Sequence, residues 1–410
     1  MSFIPFNSVS TTGRELAYVQ EAFARMHISG DGIFTRNCQG FLEDELGVPK
    51  ALLTTSCTHA LEMAGLLLDL KPLDEIIIPA FTFVSTANAF ALRGAKPIFA
   101  DIRPDTLNLD ERLLPSLVTP KTKAIVPVHY AGVGCEMDAI LDLAGQRGIR
   151  VIEDNAHGLF GRYRGKLLGS FGCLATQSFH ETKNFSCGEG GALLINDPDF
   201  IERAEIIREK GTNRKCFFRG EIDKYTWVDI GSSYLPSDIL SAVLFAQFEA
   251  RLSIQEKRCR LWEGYAKGLA DWAAEHRVGL PYVPPHCEQT FHMFYLRLPD
   301  RKVRDALIEH LKGLEILSVF HYAPLHLSAM GRRFGGYEGQ CPVTEKVSEQ
   351  IVRLPMYYGL EENDQNRILD AIHSFRLPEG GRIDKAGAQL SDDTSPLAAT
   401  AGRARSVASS

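Results

Sequence analysis

The first 200 residues alternate between short apolar runs and longer segments with helical periodicity. The apolar runs lack the every-second-residue polarity of a half-exposed strand, which is typical of strands covered by helices on both faces. Repeated strand–helix units of this kind predict an α/β fold with a mainly parallel sheet. We predict strands at 51–54, 75–81, 96–103, 124–131, 150–155, 174–179 and 191–197, and helices at 13–26, 38–46, 59–70, 85–93, 110–118, 137–147 and 199–210.

The pattern changes in the second half of the chain. An apolar helix begins near residue 237, and a long helix that begins near 250 is predicted to cross to a smaller α+β domain, with strand-like segments at 291–298 and 319–326 and helices at 304–311 and 364–375. Two polar stretches, 29–37 and 211–234, are predicted as loops. After Leu377 the chain is rich in small and polar residues and poor in aromatics, as in disordered tails. The predicted organisation is a large domain at 1–250, a small domain at 251–377 and a disordered tail at 378–410.

Composition and charge narrow the class of protein. Of the 410 residues 45% are hydrophobic, and the net charge of -6 argues against a protein built to bind nucleic acid or an anionic membrane. Nine cysteines lie apart without a CxxC pair, so we expect reduced cysteines and neither a zinc site nor a disulfide framework. The N-terminus has no signal-peptide pattern, and no apolar run is long enough to span a membrane. We therefore expect a soluble cytoplasmic protein.

Ligands of parallel α/β sheets bind outside the carboxyl ends of the strands, so the residues there are the first candidates for a site. Ser56, Cys57 and Thr58 follow the first strand and open a helix, where backbone N–H groups and hydroxyls can hold a phosphate. A plain helix N-cap is the simpler interpretation of these three residues taken alone. Phe83 follows the second strand and can stack on a flat cofactor, although such aromatics more often pack in a core.

A carboxylate and a lysine follow two later strands. Asp154 needs a cationic partner to stay ionised at a buried strand end, and a ring nitrogen, an arginine or a helix N-terminus would each serve. Lys183 follows Ser178 on a turn edged by glycines, where burial can lower its pKa and make it a Schiff-base nucleophile; a solvated loop lysine is the simpler alternative. Together, a phosphate cradle, an aromatic ring, a carboxylate and a lysine meet the requirements of pyridoxal phosphate. A nicotinamide dehydrogenase is disfavoured because no GxGxxG follows a strand.

Several segments resemble the DegT/DnrJ/EryC1 family of sugar aminotransferases. The family has the aspartate-aminotransferase fold, fold type I of enzymes that use pyridoxal phosphate, and the resemblance covers roughly residues 3–377. The closest similarity within the family is to members that make dTDP-4-amino-4,6-dideoxygalactose, and it is most specific in the loop from Lys210 to Leu235. The matching segments are IPF (4–6), GDGIFTR (30–36), SCTHALEMA (56–64), FTFVSTANAF (81–90), RGAKPIFADI (93–102), PVHYAG (127–132), EDNAHG (153–158), SFHETKN (178–184), GEGG, REKGTNR, DKYTW, GSSYLPSD and HYAPLH.

The resemblance implies a role for each candidate residue. Lys183 would bind the cofactor covalently and act as the acid/base, and Asp154 would bind its ring nitrogen. The cofactor's other contacts would come from Ser56, the backbone of Cys57 and Thr58, Ser178, Phe83 and His157. Ser233 stands where many members have an asparagine that reaches the partner subunit's phosphate. Candidates to bind the nucleotide-linked sugar are Arg214, Arg219, Lys224, Tyr225 and His321, with His129 and His326 as weaker ones. Solvated surface charges are the simpler interpretation of Arg214, Arg219 and Lys224, and core or surface histidines that of the three histidines.

The resemblance also implies a reaction. We expect a ping-pong transfer of an amino group from L-glutamate to C4 of a nucleotide-linked 4-keto-6-deoxy sugar, in a homodimer with shared active sites. The product would serve cell-surface polysaccharide or glycolipid synthesis. A 3-keto or other nucleotide-sugar aminotransferase and a non-catalytic cofactor-binding module are the alternatives. A dehydratase of the same fold is disfavoured because that branch has a histidine where this chain has Lys183.

Overall fold

A seven-stranded sheet forms the centre of the computed structural model, which describes residues 2–220 and 222–376. The strands of this sheet are β1 (Lys50–Thr54), β2 (Glu75–Pro79), β3 (Lys96–Ala100), β4 (Thr122–Ile125), β5 (Arg150–Asp154), β8 (Leu174–Ser178) and β9 (Gly191–Ile195). Their order in the sheet is β1-β9-β8-β5-β4-β2-β3. β9 runs antiparallel to its neighbours β1 and β8, and the other pairings are parallel.

Helices cover both faces of this sheet, which explains the uninterrupted apolar runs. β5, β8 and β9 are buried at nearly every position because separate hydrophobic clusters pack against each face of the sheet. The α/β class with a mainly parallel sheet is confirmed. The helices up to residue 250 are α1 (Glu15–Ala24), α2 (Ile33–Leu46), α3 (Cys57–Leu67), α4 (Val84–Ala91), α5 (Leu114–Leu117), α6 (Met137–Arg147), α7 (Ile201–Arg208), α8 (Arg214–Phe218) and α9 (Asp238–Glu249).

A second hydrophobic cluster is built mainly from the C-terminal part of the chain. Its helices pack around a two-stranded antiparallel sheet, and Ile4 from the N-terminal segment completes the cluster. Its elements, with the helices beside them, are α10 (Arg251–His276), α11 (Arg301–Gly313), α12 (Ala329–Arg333), α13 (Pro342–Gln350), α14 (Glu362–Ser374), β11 (Tyr295–Arg297) and β12 (Ile351–Arg353). The domain boundaries 1–250 and 251–377 stay a prediction, and the predicted tail at 378–410 lies outside the described residues.

A small three-stranded sheet, order β10-β6-β7, lies apart from the central sheet. It consists of β6 (Arg162–Tyr163), β7 (Lys166–Leu167) and β10 (Cys287–Glu288), so it joins chain segments that are far apart in sequence. No helix within residues 2–220 and 222–376 is long and apolar enough to cross a membrane.

Three predicted elements are wrong. The loop predicted at 29–37 is helical from Ile33, because Asp238 accepts hydrogen bonds from the N–H groups of Phe34 and Thr35 and stabilises the start of α2. The loop predicted at 211–234 contains the short helix α8. The segment at 319–326 is not a strand, since only Val319 bridges to β12 and the chain then turns through Pro324.

Candidate active site

The carboxyl ends of β1, β5 and β8 meet at one edge of the sheet. Asp154 pairs with Thr176 in the parallel register of β5 and β8, and Ser178 ends β8 opposite Gly191. A Cβ atom on Gly191 would lie 2.3 Å from the backbone carbon of Ser56, so only glycine fits between this strand and the start of α3. The sheet therefore brings the predicted phosphate cradle, the carboxylate and Ser178 together.

Lys183 lies on a turn that follows β8. Its N–H donates to His180 at 2.9 Å, and the turn is closed by Phe179, whose N–H donates to Gly190 at 2.8 Å. Burial lowers the pKa of Lys183 to about 8, the nearby Cys57 thiol and Asp154 oppose the shift, and the charge of Arg353 adds to it. A substantial fraction of this amine is therefore neutral and nucleophilic near neutral pH, unlike an ordinary lysine.

Asp154 is 5% exposed and has no cation within 4 Å among the described residues. One carboxylate oxygen accepts from the Thr86 hydroxyl at 2.8 Å, and the other accepts from the Ala156 N–H at 3.2 Å. Burial raises the pKa of this carboxyl, and these two hydrogen bonds oppose the rise. A buried carboxylate in this state fits a cationic group on a ligand, such as a protonated ring nitrogen.

Two histidines stack beside Lys183. The rings of His157 and His292 lie 4.2 Å apart at an angle of 19°. Burial holds the pKa of each well below its usual range, so both rings are neutral. His292 Nδ1 donates to Asn184 at 2.9 Å, whereas His157 Nδ1 is buried and has no partner among the described residues. That unsatisfied nitrogen is suited to a ligand's polar group.

The start of α3 has the geometry of an anion cradle. Ser56 is the N-cap of this helix, since its hydroxyl accepts from the His59 N–H at 3.1 Å. The side chain of Ser56 therefore has the role that the simpler interpretation predicts. The N–H groups of Cys57 and Thr58, in the first turn, have no acceptor among the described residues. The Ser178 hydroxyl, at the end of β8, likewise has no hydrogen bond within that part of the chain. The free donors suit a phosphate group.

The rings of Phe83 and His321 both lie near that of Tyr322. Phe83 is 55% exposed at the start of α4, and its ring lies 6.1 Å from that of Tyr322. His321 stacks on Tyr322 at 5.6 Å, and Nη1 of Arg353 donates to its Nδ1 at 3.3 Å. Partial burial, followed by the charge of Arg353, lowers the pKa of His321. The large exposed face of Phe83 is suited to stacking on a flat ligand.

Four other predicted residues do not line the cavity at Lys183. A cavity of 610 Å³ is lined by Ser233, Arg214 and Arg219 and shares no lining residue with the cavity at Lys183. Both arginines form ion pairs with glutamates of the same region, Arg214 with Glu209 at 3.2 Å and Arg219 with Glu205 at 2.8 Å. Tyr225 is exposed, with its ring 5.8 Å from that of Phe217. Within one chain, these four residues are therefore not brought to Lys183.

The remaining predicted histidines and Lys224 have simpler roles. His129 is fully buried and bonds Glu153 at 3.0 Å, and His326 is fully buried and bonds Glu345 at 2.9 Å. Lys224 is exposed. The two histidines are therefore core residues.

Three neighbours of the site were absent from the predicted set. Thr86 bonds Asp154, His292 stacks on His157, and Arg353 contacts His321. Thr86 lies one helical turn after Phe83, a predicted site residue, so its closeness to the site could have been predicted from the sequence. His292 and Arg353 come from distant parts of the chain, and no local pattern connects them to Lys183.

Comparison with known proteins bears on this geometry. Residues 10–373 match the DegT/DnrJ/EryC1/StrS aminotransferase family, which is most of the chain. The chain belongs to this family. It is 32% identical over 336 residues to the uncharacterized protein MJ1066 of Methanocaldococcus jannaschii, which covers 80% of this chain and 86% of that protein.

Solved structures of other aminotransferases share the fold of this family member. Spr1654 of Streptococcus pneumoniae, described as a sugar aminotransferase, superposes with a TM-score of 0.84 at 25% identity, over 90% of this chain and 97% of its own. DesV of S. venezuelae superposes with a TM-score of 0.81 at 29% identity, over 91% and 98%. Fold type I is thereby confirmed, and the enzyme is an aminotransferase that depends on pyridoxal phosphate, the cofactor present in one Spr1654 structure.

Proposed function

We propose that this enzyme moves the amino group of L-glutamate to C4 of a nucleotide-linked 4-keto-6-deoxy sugar. The proposed substrate is dTDP-4-keto-6-deoxyglucose, and the proposed product is dTDP-4-amino-4,6-dideoxygalactose. The observation that carries amino transfer is Lys183, whose pKa is lowered to about 8 at the same sheet edge as the buried Asp154. The choice of sugar rests on the resemblance of residues 210–235 to family members that make this product.

The residues at the sheet edge fit the cofactor. Pyridoxal phosphate, when bound, withdraws electrons from the carbon that carries the amino group and stores that group between the two substrates. Asp154 would bind the ring nitrogen, whose positive charge keeps the buried carboxylate ionised. Ser178 and the N–H groups of Cys57 and Thr58 would hold the phosphate. Phe83 would cover the ring face.

Lys183 is the proposed acid/base residue of the reaction. Its Nζ would hold the cofactor covalently. The neutral form of Nζ would also take the proton from the α-carbon of the donor, which a lysine with an ordinary pKa would do poorly near pH 7. His157, neutral because it is buried, orients the ring and adds no charge beside the amine.

The nucleotide needs cationic donors, and the cavity of 610 Å³ offers them. Arg214 and Arg219 form part of its wall, and Tyr225 lies on the same loop. We propose that this loop serves the active site of a partner subunit in a homodimer, where Ser233 would reach the partner's cofactor phosphate. Exposed apolar side chains on the loop support an interface, since Trp227 is 75% exposed and Ile230 is 57% exposed.

Product analysis tests the proposed reaction. The enzyme is incubated with L-glutamate and dTDP-4-keto-6-deoxyglucose, and NMR of the purified product distinguishes a galacto from a gluco amine and C4 from C3 amination. We expect the 4-amino galacto product and one equivalent of 2-oxoglutarate. Amination at C3, or turnover only with the 3-keto isomer, would show that the sugar assignment is wrong. A visible absorption band that no amino donor changes would refute amino transfer itself.

A further inference from the structure

A cavity of 500 Å³ lies between segments that are far apart in the chain. Its wall is formed by Pro104, which follows β3, by the C-terminal end of α10, by β11 with the residues after it, and by one face of α13. It shares no lining residue with the cavity at Lys183 or with the cavity of 610 Å³. Sites for small molecules usually have about 300–1,000 Å³, so this cavity is large enough to bind one.

The charged residues that line this cavity are all cations. They are Arg277, Arg297 and Lys346, and no carboxylate is among the lining residues. None of the three forms an ion pair with a carboxylate of residues 2–220 and 222–376. In the cavity of 610 Å³, by contrast, both lining arginines described above are paired with glutamates. Cations gathered around one cavity repel each other, so a bound anion would stabilise the folded protein.

Arg297 is held at the wall of the cavity without a counter-charge. Its backbone is bonded in both directions to Gly279, at 2.8 and 2.9 Å, and its Nη1 donates to the Pro104 carbonyl. Nε is buried and has no hydrogen-bond partner in the described part of the chain. A Cβ atom on Gly279 would lie 2.9 Å from Nε and 3.0 Å from Nη2. The guanidinium therefore lies directly over the Gly279 backbone, in space that only glycine leaves open.

Two carboxylates on the adjoining segments are already engaged. Asp105, next to Pro104 in the chain, forms an ion pair with Arg103 at 2.9 Å. Asp101 accepts from the N–H groups of Val343 and Thr344 at the start of α13, each at 2.8 Å. Neither carboxylate is available to neutralise the cations of the cavity. A counter-charge would therefore come from a bound molecule.

We propose that this cavity binds a small organic molecule that carries a phosphate group. Three cations on different segments suit a doubly charged, tetrahedral group, whose oxygens accept hydrogen bonds from several directions. A planar carboxylate carries one charge, which a single arginine can satisfy. The wall also contains the apolar side chains of Leu298, Val343 and Val347, which would contact the organic part of the ligand. The proposal does not depend on the sugar that the enzyme uses.

Calorimetry with the holoenzyme tests the chemistry of the ligand. Phenyl phosphate has a phosphate and an apolar ring, inorganic phosphate lacks the ring, and benzoate has a carboxylate in place of the phosphate. We expect phenyl phosphate to bind with the lowest Kd. Inorganic phosphate and benzoate should each bind roughly tenfold more weakly, because each lacks one kind of contact. Phenyl phosphate should also raise the midpoint of thermal unfolding.

Removal of single charges tests the place of binding. In Arg297→Gln and in Lys346→Gln we expect the Kd for phenyl phosphate to rise by roughly tenfold, as for the loss of one charge-assisted hydrogen bond. Lys267→Gln removes an exposed lysine of α10 that does not line the cavity, and its Kd should not change. If Arg297→Gln does not fold, Lys346→Gln and Arg277→Gln, at exposed positions, still decide the question.

A further variant tests the geometry at constant charge. Gly279→Ala adds a methyl group where the Arg297 guanidinium lies, so the guanidinium has to move. We expect the Kd for phenyl phosphate to rise by roughly tenfold here as well. Gly145→Ala on α6 is the matched control, because a Cβ atom there meets no atom within 4 Å. Thermal unfolding reports whether each variant is folded.

Several outcomes would overturn the proposal. One is a wild-type enzyme that does not bind phenyl phosphate at about 10 mM, and another is a Kd that the substitutions at the cavity leave unchanged. Binding that Arg219→Gln weakens and Arg297→Gln does not would place the ligand in the cavity of 610 Å³ instead. Benzoate that binds as tightly as phenyl phosphate would contradict the assignment to phosphate. These measurements need no turnover, so they are independent of the proposed reaction.

Discussion

The site at Lys183 and the cavity of 610 Å³ both contain several charged groups, but the groups differ in burial and in ion pairing. At Lys183 the ionisable side chains are buried or half-buried, have no ion-pair partner within residues 2–220 and 222–376, and have shifted pKa values. In the cavity Arg214 and Arg219 are exposed, and each forms an ion pair with a nearby glutamate. Groups of the first kind can change their protonation during a reaction, whereas paired and solvated groups can attract and orient a charged substrate. We therefore propose that the region at Lys183 carries out the chemistry and that the cavity of 610 Å³ serves recognition of the substrate.

Removal of Lys183 should have the largest effect. In Lys183→Ala we expect a loss of turnover of roughly 10⁴-fold or more, because both covalent attachment and proton transfer are lost. Stopped-flow absorbance with L-glutamate measures the effect, and thermal unfolding checks the fold. Lys302→Ala, an exposed lysine on α11, is the control and should keep full activity. Near-normal turnover of Lys183→Ala would show that the reaction is not catalysed at Lys183.

Neutralising Asp154 should have the next largest effect. Asp154→Asn keeps the size of the side chain and an acceptor for Thr86, but loses the charge that would stabilise a protonated ring nitrogen. We expect turnover to fall by roughly 10²- to 10³-fold, equivalent to about 3–4 kcal/mol of transition-state stabilisation. The wavelength of the cofactor band and its dissociation constant should change as well. An unchanged spectrum and rate would mean that this carboxylate does not contact the cofactor.

The pKa of Lys183 predicts a pH dependence. In protein freed of cofactor, the rate of covalent attachment of pyridoxal phosphate depends on the neutral amine, so it should rise with pH and level off above about 8. Between pH 7 and the plateau the rise should be about tenfold, since about a tenth of such an amine is neutral at pH 7. N-acetyl-lysine methyl ester is the control, and its rate should keep rising to about pH 10. A plateau near pH 10 in the protein would show that the site leaves this lysine unperturbed.

Substitution in the other cavity should have the smallest effect. In Arg219→Gln we expect the KM for the nucleotide sugar to rise by roughly three- to tenfold, because one charged contact to the pyrophosphate is lost while the chemistry is untouched. The single-turnover rate with L-glutamate should not change. Arg25→Gln removes a similarly exposed ion pair on α1 and serves as the control. A large fall in the single-turnover rate of Arg219→Gln with L-glutamate would contradict the proposal that this cavity serves only recognition of the nucleotide sugar.

Some features could be predicted from the sequence because their signals are local. β5 and β8 are largely apolar runs that end in Asp154 and Ser178, and α6 has the bounds that its periodicity predicts. Lys183 was identifiable because a glycine-edged turn follows a buried strand. These signals depend on neighbours in the chain, and the strand ends need only the rule that parallel strands finish at one edge.

Other features depend on partners far away in the chain. The start of α2 follows a run of turn residues, and it is helical because Asp238, some 200 residues later, accepts from Phe34 and Thr35. His292 and Arg353 reach the site only through the packing of the C-terminal elements. A periodic pattern does not indicate which side chains from distant parts of the chain will be in contact. Such contacts can be identified only in the three-dimensional structure.

The contacts of Asn184, the residue after Lys183, have a consequence for engineering. Its side chain donates to the Thr290 carbonyl at 2.8 Å and accepts from His292, so the turn that carries the reactive amine is tied to a segment more than 100 residues later. Chimeric enzymes that join the first half of one relative to the second half of another would separate these partners. Such recombinants should lose activity unless residues 184 and 290–292 come from the same parent. The turn at Lys183 is thus coupled by these hydrogen bonds to a distant segment of the chain.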